Sequence, residues 1–297
     1  ESQGHENTIF CVSNRKFKSA TSTPTDIDAL CQGFGTQAIC GLEGGCSPSP
    51  RGGANLLIPF LITPRKTQLL SDEFIIKWNR VPDVSQYIVK LRGPDGVIWE
   101  DEVSDVQIVY PGTPPLIPNV KYSIVIETDT GVSSVDEGIS GLAFSILSAE
   151  DTEKIEAEKA ELIETDLPDE LKEYALAYLY NRHQLMVEGI SILENLKQRE
   201  NQNASVYRLL GDFYRKIHLN LHAVDAYTKA VEIAELEVNI EDQVMAKVAL
   251  ADAYISLGNS AQALTTLIEA KGLYNALAQR EAEIVEEINR KISDLQE

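Results

Sequence analysis

The chain has 297 residues, of which 43% are hydrophobic and 24% charged, and its formal net charge is −20. Such a balance is ordinary for a globular protein, and it excludes nucleic acid and anionic membranes as partners, since both demand clustered Lys and Arg. The longest apolar run, Ala54 to Ile62, is interrupted by Pro59 and falls short of the roughly 18 residues that span a bilayer.

All four cysteines, Cys11, Cys31, Cys40 and Cys46, lie in the first 46 residues. An even number confined to one segment predicts two disulfides and an oxidising compartment. The intervening spacings of 19, 8 and 5 residues lack the Cys-x-x-Cys pairs that a zinc site uses, and four cysteines leave three pairings open. Residues 1–52 are otherwise rich in Gly, Ser and Thr, with strand character only at Thr8 to Val12. This leader has little core of its own and needs staples or a surface to dock on. A start at Glu1-Ser2-Gln3 predicts a processed form whose export signal has been removed, hence a secreted, periplasmic or cell-surface protein.

Residues 53–147 predict a small all-β domain. Runs rich in β-branched and aromatic residues recur at Glu73 to Trp78, Gln86 to Leu91, Val97 to Val103, Val106 to Tyr110, Lys121 to Glu127 and Gly141 to Leu147. Gly93-Pro94-Asp95-Gly96 joins two of them as a hairpin. Trp78, Tyr87 and the Leu116-x-Pro118-x-x-x-Tyr122 pattern resemble the core tryptophan, strand tyrosine and tyrosine corner of fibronectin type III domains. That resemblance implies a β-sandwich serving as spacer or adhesive module.

From Ala149 the period becomes helical. Residues 148–169 read as an acidic helix and a linker interrupted at Pro168. An internal repeat follows over 170–277. Its clearest copy runs from Ala204 to about Glu237, with Tyr207, Leu210, Gly211, Tyr214, Ala223, Tyr227 and Ala230 at regular positions. A third copy begins near Val244, with Leu257-Gly258-Asn259 at its turn, and a first near Glu170 with Gly189 and Leu193. The starts are 34 and 40 residues apart. These positions resemble the tetratricopeptide repeat, a helical hairpin that stacks into a solenoid. Residues 278–297 look polar and read as a capping helix. The fold class expected is therefore multidomain β plus α: a Cys-containing leader, a fibronectin type III-like β-sandwich, then an all-α tetratricopeptide solenoid. The whole order resembles exported cyanobacterial tetratricopeptide proteins.

The family resemblance implies a concave groove lined by the first helix of each hairpin. Carried onto this chain it comprises Tyr174, Tyr178 and Asn181, then Arg208, Asp212 and Arg215, then Val248 and Asp252. Tyr and Arg often dominate binding energy. Tyr178, Asp212 and Asp252 stand where the family's carboxylate clamp needs Lys and Asn, which argues against chaperone-tail binding. No phosphate loop, His-Glu-x-x-His or Gly-x-Ser-x-Gly occurs, so no catalytic residue, cofactor or metal is assigned and an enzyme is the remotest reading. His218 and His222 straddle a turn, Asp129, Asp136 and Glu137 lack EF-hand spacing, and Asn203 is expected to cap a helix rather than carry a glycan. The functional expectation is an exported, non-catalytic scaffold that binds a protein or peptide partner. The second is a homopolymer, a subunit of a fibre or surface layer, with the leader strand adding to a neighbour's sheet edge.

Overall fold

The computed structural model describes residues 53, 55–199, 203–277 and 282–296, and the backbone of four short strands before them. These are β1 (Thr8–Cys11) paired antiparallel with β2 (Lys16–Ser19), and β3 (Ile39–Cys40) paired with β4 (Cys46–Ser47). The strand expected at Thr8 thus has one edge occupied within the leader. The four cysteine side chains, and with them the two expected disulfides, lie outside the described residues.

The β region follows as β5 (Leu61–Thr63), β6 (Gln68–Leu69), β7 (Glu73–Trp78), β8 (Tyr87–Gly93), β9 (Gly96–Val103), β10 (Gln107–Pro111), β11 (Ser123–Thr128) and β12 (Ser145–Ile146). One sheet has the order β10-β7-β5, a second the order β11-β8-β9, and β12 pairs with β6. β7 alternates exposed and buried residues along its whole length, the signature of a strand with one face on a core. Its inward Phe74, Ile76 and Trp78 meet Tyr87, Val89 and Leu91 of β8 in one cluster. Trp78 and Tyr87 touch edge to face across it, with centroids 5.4 Å apart. The hairpin at Gly93-Gly96 forms as expected. Tyr122 is buried, and its hydroxyl accepts a hydrogen bond from the Ile117 amide at 2.9 Å. The final strand is shorter than expected: Gly141 to Leu147 contributes only Ser145–Ile146 and an isolated bridge at Phe144.

Eight helices are described after it: α1 (Ala149–Ile163), α2 (Asp169–Arg182), α3 (Met186–Gln198), α4 (Ala204–Lys216), α5 (Asn220–Leu236), α6 (Ile240–Ser256), α7 (Ser260–Asn275) and α8 (Ala282–Asp294). This helical repeat region is consistent with a tetratricopeptide solenoid. The turns inside the three hairpins place one left-handed residue each, Gln184, His218 and Gly258, at 34- and 40-residue spacing. The longer second interval lies in helix, not loop. α5 and α6 each have 17 residues against 13 for α4, and α6 begins at Ile240, a turn before the start expected near Val244. Small residues set the spacing between helices. A Cβ on Gly211 would lie 2.5 Å from Tyr227, and one on Gly189 would lie 2.3 Å from Phe213.

Both flanking helices dock on their neighbours. The acidic α1 docks through Ile155, which is buried against Leu147, Tyr180 and Leu185. α8 packs on the end of the repeat through one apolar stripe: Ile288 is buried, and Ile284, Val285, Ile292 and Leu295 pack on the cluster of α6 and α7.

The β region and the solenoid are joined by residues 63–68, which complete two helix ends. α3 lacks a side-chain cap of its own, and the Thr67 hydroxyl accepts from the Met186 amide at 2.9 Å. At the end of α4 the Arg65 Nε donates to the Ile217 carbonyl at 2.6 Å, satisfying an orphan helix acceptor. Arg65 also forms a bidentate pair with Glu137, both N–O distances 2.9 Å, and is fully buried.

Candidate partner-binding groove

On α2, Tyr174, Tyr178 and Asn181 follow one another at i, i+4 and i+7, and on α4 Arg208, Asp212 and Arg215 do the same. At those intervals side chains share a helix face. Val248 and Asp252 occupy the matching positions of α6. Short polar contacts stitch the faces together. Between α2 and α4, Lys216 Nζ donates to Asn181 Oδ1. Between α4 and α6, Arg215 pairs with Asp252 at 3.7 Å. Lys291 of α8 reaches the same Asp252, so α8 extends this surface as a fourth member.

Asp212 is the hub. Arg208 approaches it at 4.0 Å, and the Tyr227 hydroxyl of α5 donates to its Oδ1 at 2.6 Å. Burial, then the Asp212 carboxylate, hold Tyr227 far above the usual phenol range, so it remains a donor at any physiological pH. Burial likewise raises Tyr174. The Arg208 and Arg215 Nε atoms are shielded from solvent and have no hydrogen-bond partner. At the α2 end, Tyr174 and Tyr178 line a shallow hollow of about 400 Å³ with Leu162, Ala175 and Leu179. Tyr178 stands 60% exposed over it. Val248 is the exception, turned partly into the core of α6 to α8.

Other sequence candidates have different work. His218 sits in the α4–α5 turn and His222 in α5. Asp129 accepts from the Ser85 hydroxyl, Asp136 caps the turn at Ser133, and Glu137 holds Arg65. Asn203 accepts from the Ser205 amide at 2.9 Å as the N-cap of α4. Among the described residues no cluster of three His, Cys, Asp or Glu is placed to hold a metal ion, and no helix is long and apolar enough to cross a membrane. Sequence reasoning missed Lys216 and Lys291; the apolar i, i+4 pattern of Ile284, Ile288 and Ile292 was the available signal for α8.

No family model matches the chain, nor does any curated protein. Several solved structures match slightly under half of the chain. PcrH in complex with the chaperone-binding region of PopD aligns at 17% identity over 45% of this chain and 96% of its own, with a TM-score of 0.38. The Yersinia enterocolitica type III secretion translocator chaperone SycD aligns at 15% over 46% and 90%, TM-score 0.39. The TPR-like repeats of a putative kinesin light chain from Podosopora anserina align at 17% over 49% and 76%, TM-score 0.40.

Proposed function

We propose that the protein is an exported, non-catalytic scaffold whose helical groove binds a peptide segment of a partner. The observation that carries this reading is the alignment of Tyr174, Tyr178, Arg208, Asp212, Arg215 and Asp252, from the first helices of three successive hairpins, on one surface. A peptide laid there meets two tyrosines able to bury apolar area and two arginines held in place by Asp212 and Asp252, side-chain types often found at energetic hot spots. The β region, read as a fibronectin type III-like module, acts as the spacer that holds the groove away from the leader, and the four leader cysteines form two disulfides suited to an oxidising compartment.

The test is selection of a random dodecamer peptide library on the full chain, followed by calorimetry of the enriched peptides. Exchange of Tyr178 and Arg208 to Ala together is expected to weaken binding by about 2–4 kcal/mol with the thermal melt preserved. Peptides that bind the double variant as tightly as the original chain would remove the groove from consideration.

A self-assembling subunit is the second reading. It is favoured by Ile75 and Val109, cross-strand partners on β7 and β10 that are 47% and 51% exposed. Sedimentation across a salt series separates the two: a charge of −20 opposes association least when salt screens it, so a filament-forming chain grows with salt and a monomeric scaffold does not.

A further inference from the structure

A cavity of about 590 Å³ lies apart from the groove. It lies between the β5 and β7 side of the sheet and α3, with Tyr214 of α4 and Ile217 just after it at its back. Because β7 alternates, Phe74, Ile76 and Trp78 fill the core of the β region and Glu73, Ile75 and Lys77 are left facing α3. Clefts of this size between packed units, apolar with a few fixed polar groups, are where small ligands bind.

Two polar atoms on its walls are shielded from solvent and unpartnered: Thr63 Oγ1 and Glu188 Oε2. A buried carboxylate oxygen without a donor is costly. Burial raises the Glu188 carboxyl to about 7, with its own backbone amide and that of Leu70 only partly countering it. The other charges on the wall leave this carboxyl uncompensated. Arg65 is committed to Glu137, Glu73 and Lys77 are exposed at the rim, and Glu194 already accepts from the Tyr214 hydroxyl at 2.6 Å. An anionic head would meet Glu188 and Glu194 as like charges, and a purely apolar molecule would bury Glu188 further with nothing in return.

We propose that this cleft binds a small apolar amine, an alkyl or aryl chain packed on Ile62, Leu69, Ile75 and Ile190 whose terminal ammonium donates to Glu188. Such a ligand supplies both missing elements, apolar surface for the walls and a counter-charge for a carboxyl that otherwise has only backbone amides beside it, and a charge-assisted bond of this kind is among the stronger ones.

Calorimetric titration of the full chain at pH 8 with octylammonium, octan-1-ol and octanoate tests it. One-to-one binding of octylammonium is expected, with the alcohol and the carboxylate weaker by roughly tenfold or more. Glu188→Gln, which keeps the shape and removes the charge, is expected to weaken the amine roughly thirtyfold. Ser191→Trp, on the exposed rim of the cleft, is expected to block entry and decides the matter alone if Glu188→Gln fails to fold by circular dichroism. Octan-1-ol or octanoate binding as tightly as the amine, no heat from octylammonium, or full affinity in the folded variants would overturn the assignment.

Discussion

Glu188 illustrates how one residue can set a pH dependence that no motif announces. Its carboxyl is raised from 4.5 to about 7 by burial, so the folded protein holds its proton more tightly than the unfolded chain. The stability this contributes is fully present below pH 4.5 and is lost as pH rises through 7. Glutamine has no proton to lose. Glu188→Gln is therefore expected to match the original chain at pH 4.5 and exceed it by about 3 kcal/mol at pH 8, read from urea titrations at both values. A difference that does not change with pH would refute the assignment. Residues whose role depends on nearby chain neighbours were legible beforehand. Tyr122 bonds back to Ile117, five residues away, and Asn203 caps the helix it precedes. Glu188 was not, because its walls come from β7, 110 residues distant in sequence, and nothing in the local pattern marks it.

Among elements, the hairpins were legible because period, small residues and turn chemistry agree over each copy. Gly211 shows how strict that agreement is. Ala is ordinarily the better helix former by about 1 kcal/mol, yet a Cβ here would press on the Tyr227 ring, which is fixed by its bond to Asp212. Gly211→Ala is expected to destabilise by about 1–3 kcal/mol, the usual cost of overpacking, and to loosen Asp212 in the groove. Chemical denaturation measures the first effect, and weaker binding of a groove-selected peptide the second. Gly272→Ala is the control, since a Cβ there meets nothing within 4 Å and the propensity gain should survive. Helix limits were less legible than helix identity. The extra turn at the start of α6 has no marker beyond Asn239, whose side chain accepts from the Asp242 amide. α8 read as polar because its charged residues outnumber the apolar stripe that it buries.

At the scale of the whole molecule, the β region and the solenoid were each legible, and their union was not. Arg65 lies 152 residues from Ile217 and 72 from Glu137, too far for any local pattern to join them. In the fold it closes α4, pairs with Glu137 in a buried site, and stands beside Gly53, whose amide donates to the same Glu137 at 2.8 Å. Phe60 belongs to the solenoid's apolar cluster although it precedes β5, and the Gln184 carbonyl accepts from the Gln68 amide. With these contacts the two parts are expected to melt together, as one cooperative unit. Arg65→Ala strips the α4 carbonyls of their donor and leaves Glu137 buried without its counter-charge, a loss of about 3–5 kcal/mol. Scanning calorimetry of this variant is expected to show the single transition split, the β region melting apart from the helices. Arg65→Met combined with Glu137→Met removes the stranded charge and restores apolar contact, so it is expected to be less damaging than Arg65→Ala alone. A lone Arg65→Ala exchange that melts in one step within a degree of the original chain would mean that apolar contact around Phe60, not the buried ion pair, couples the two halves.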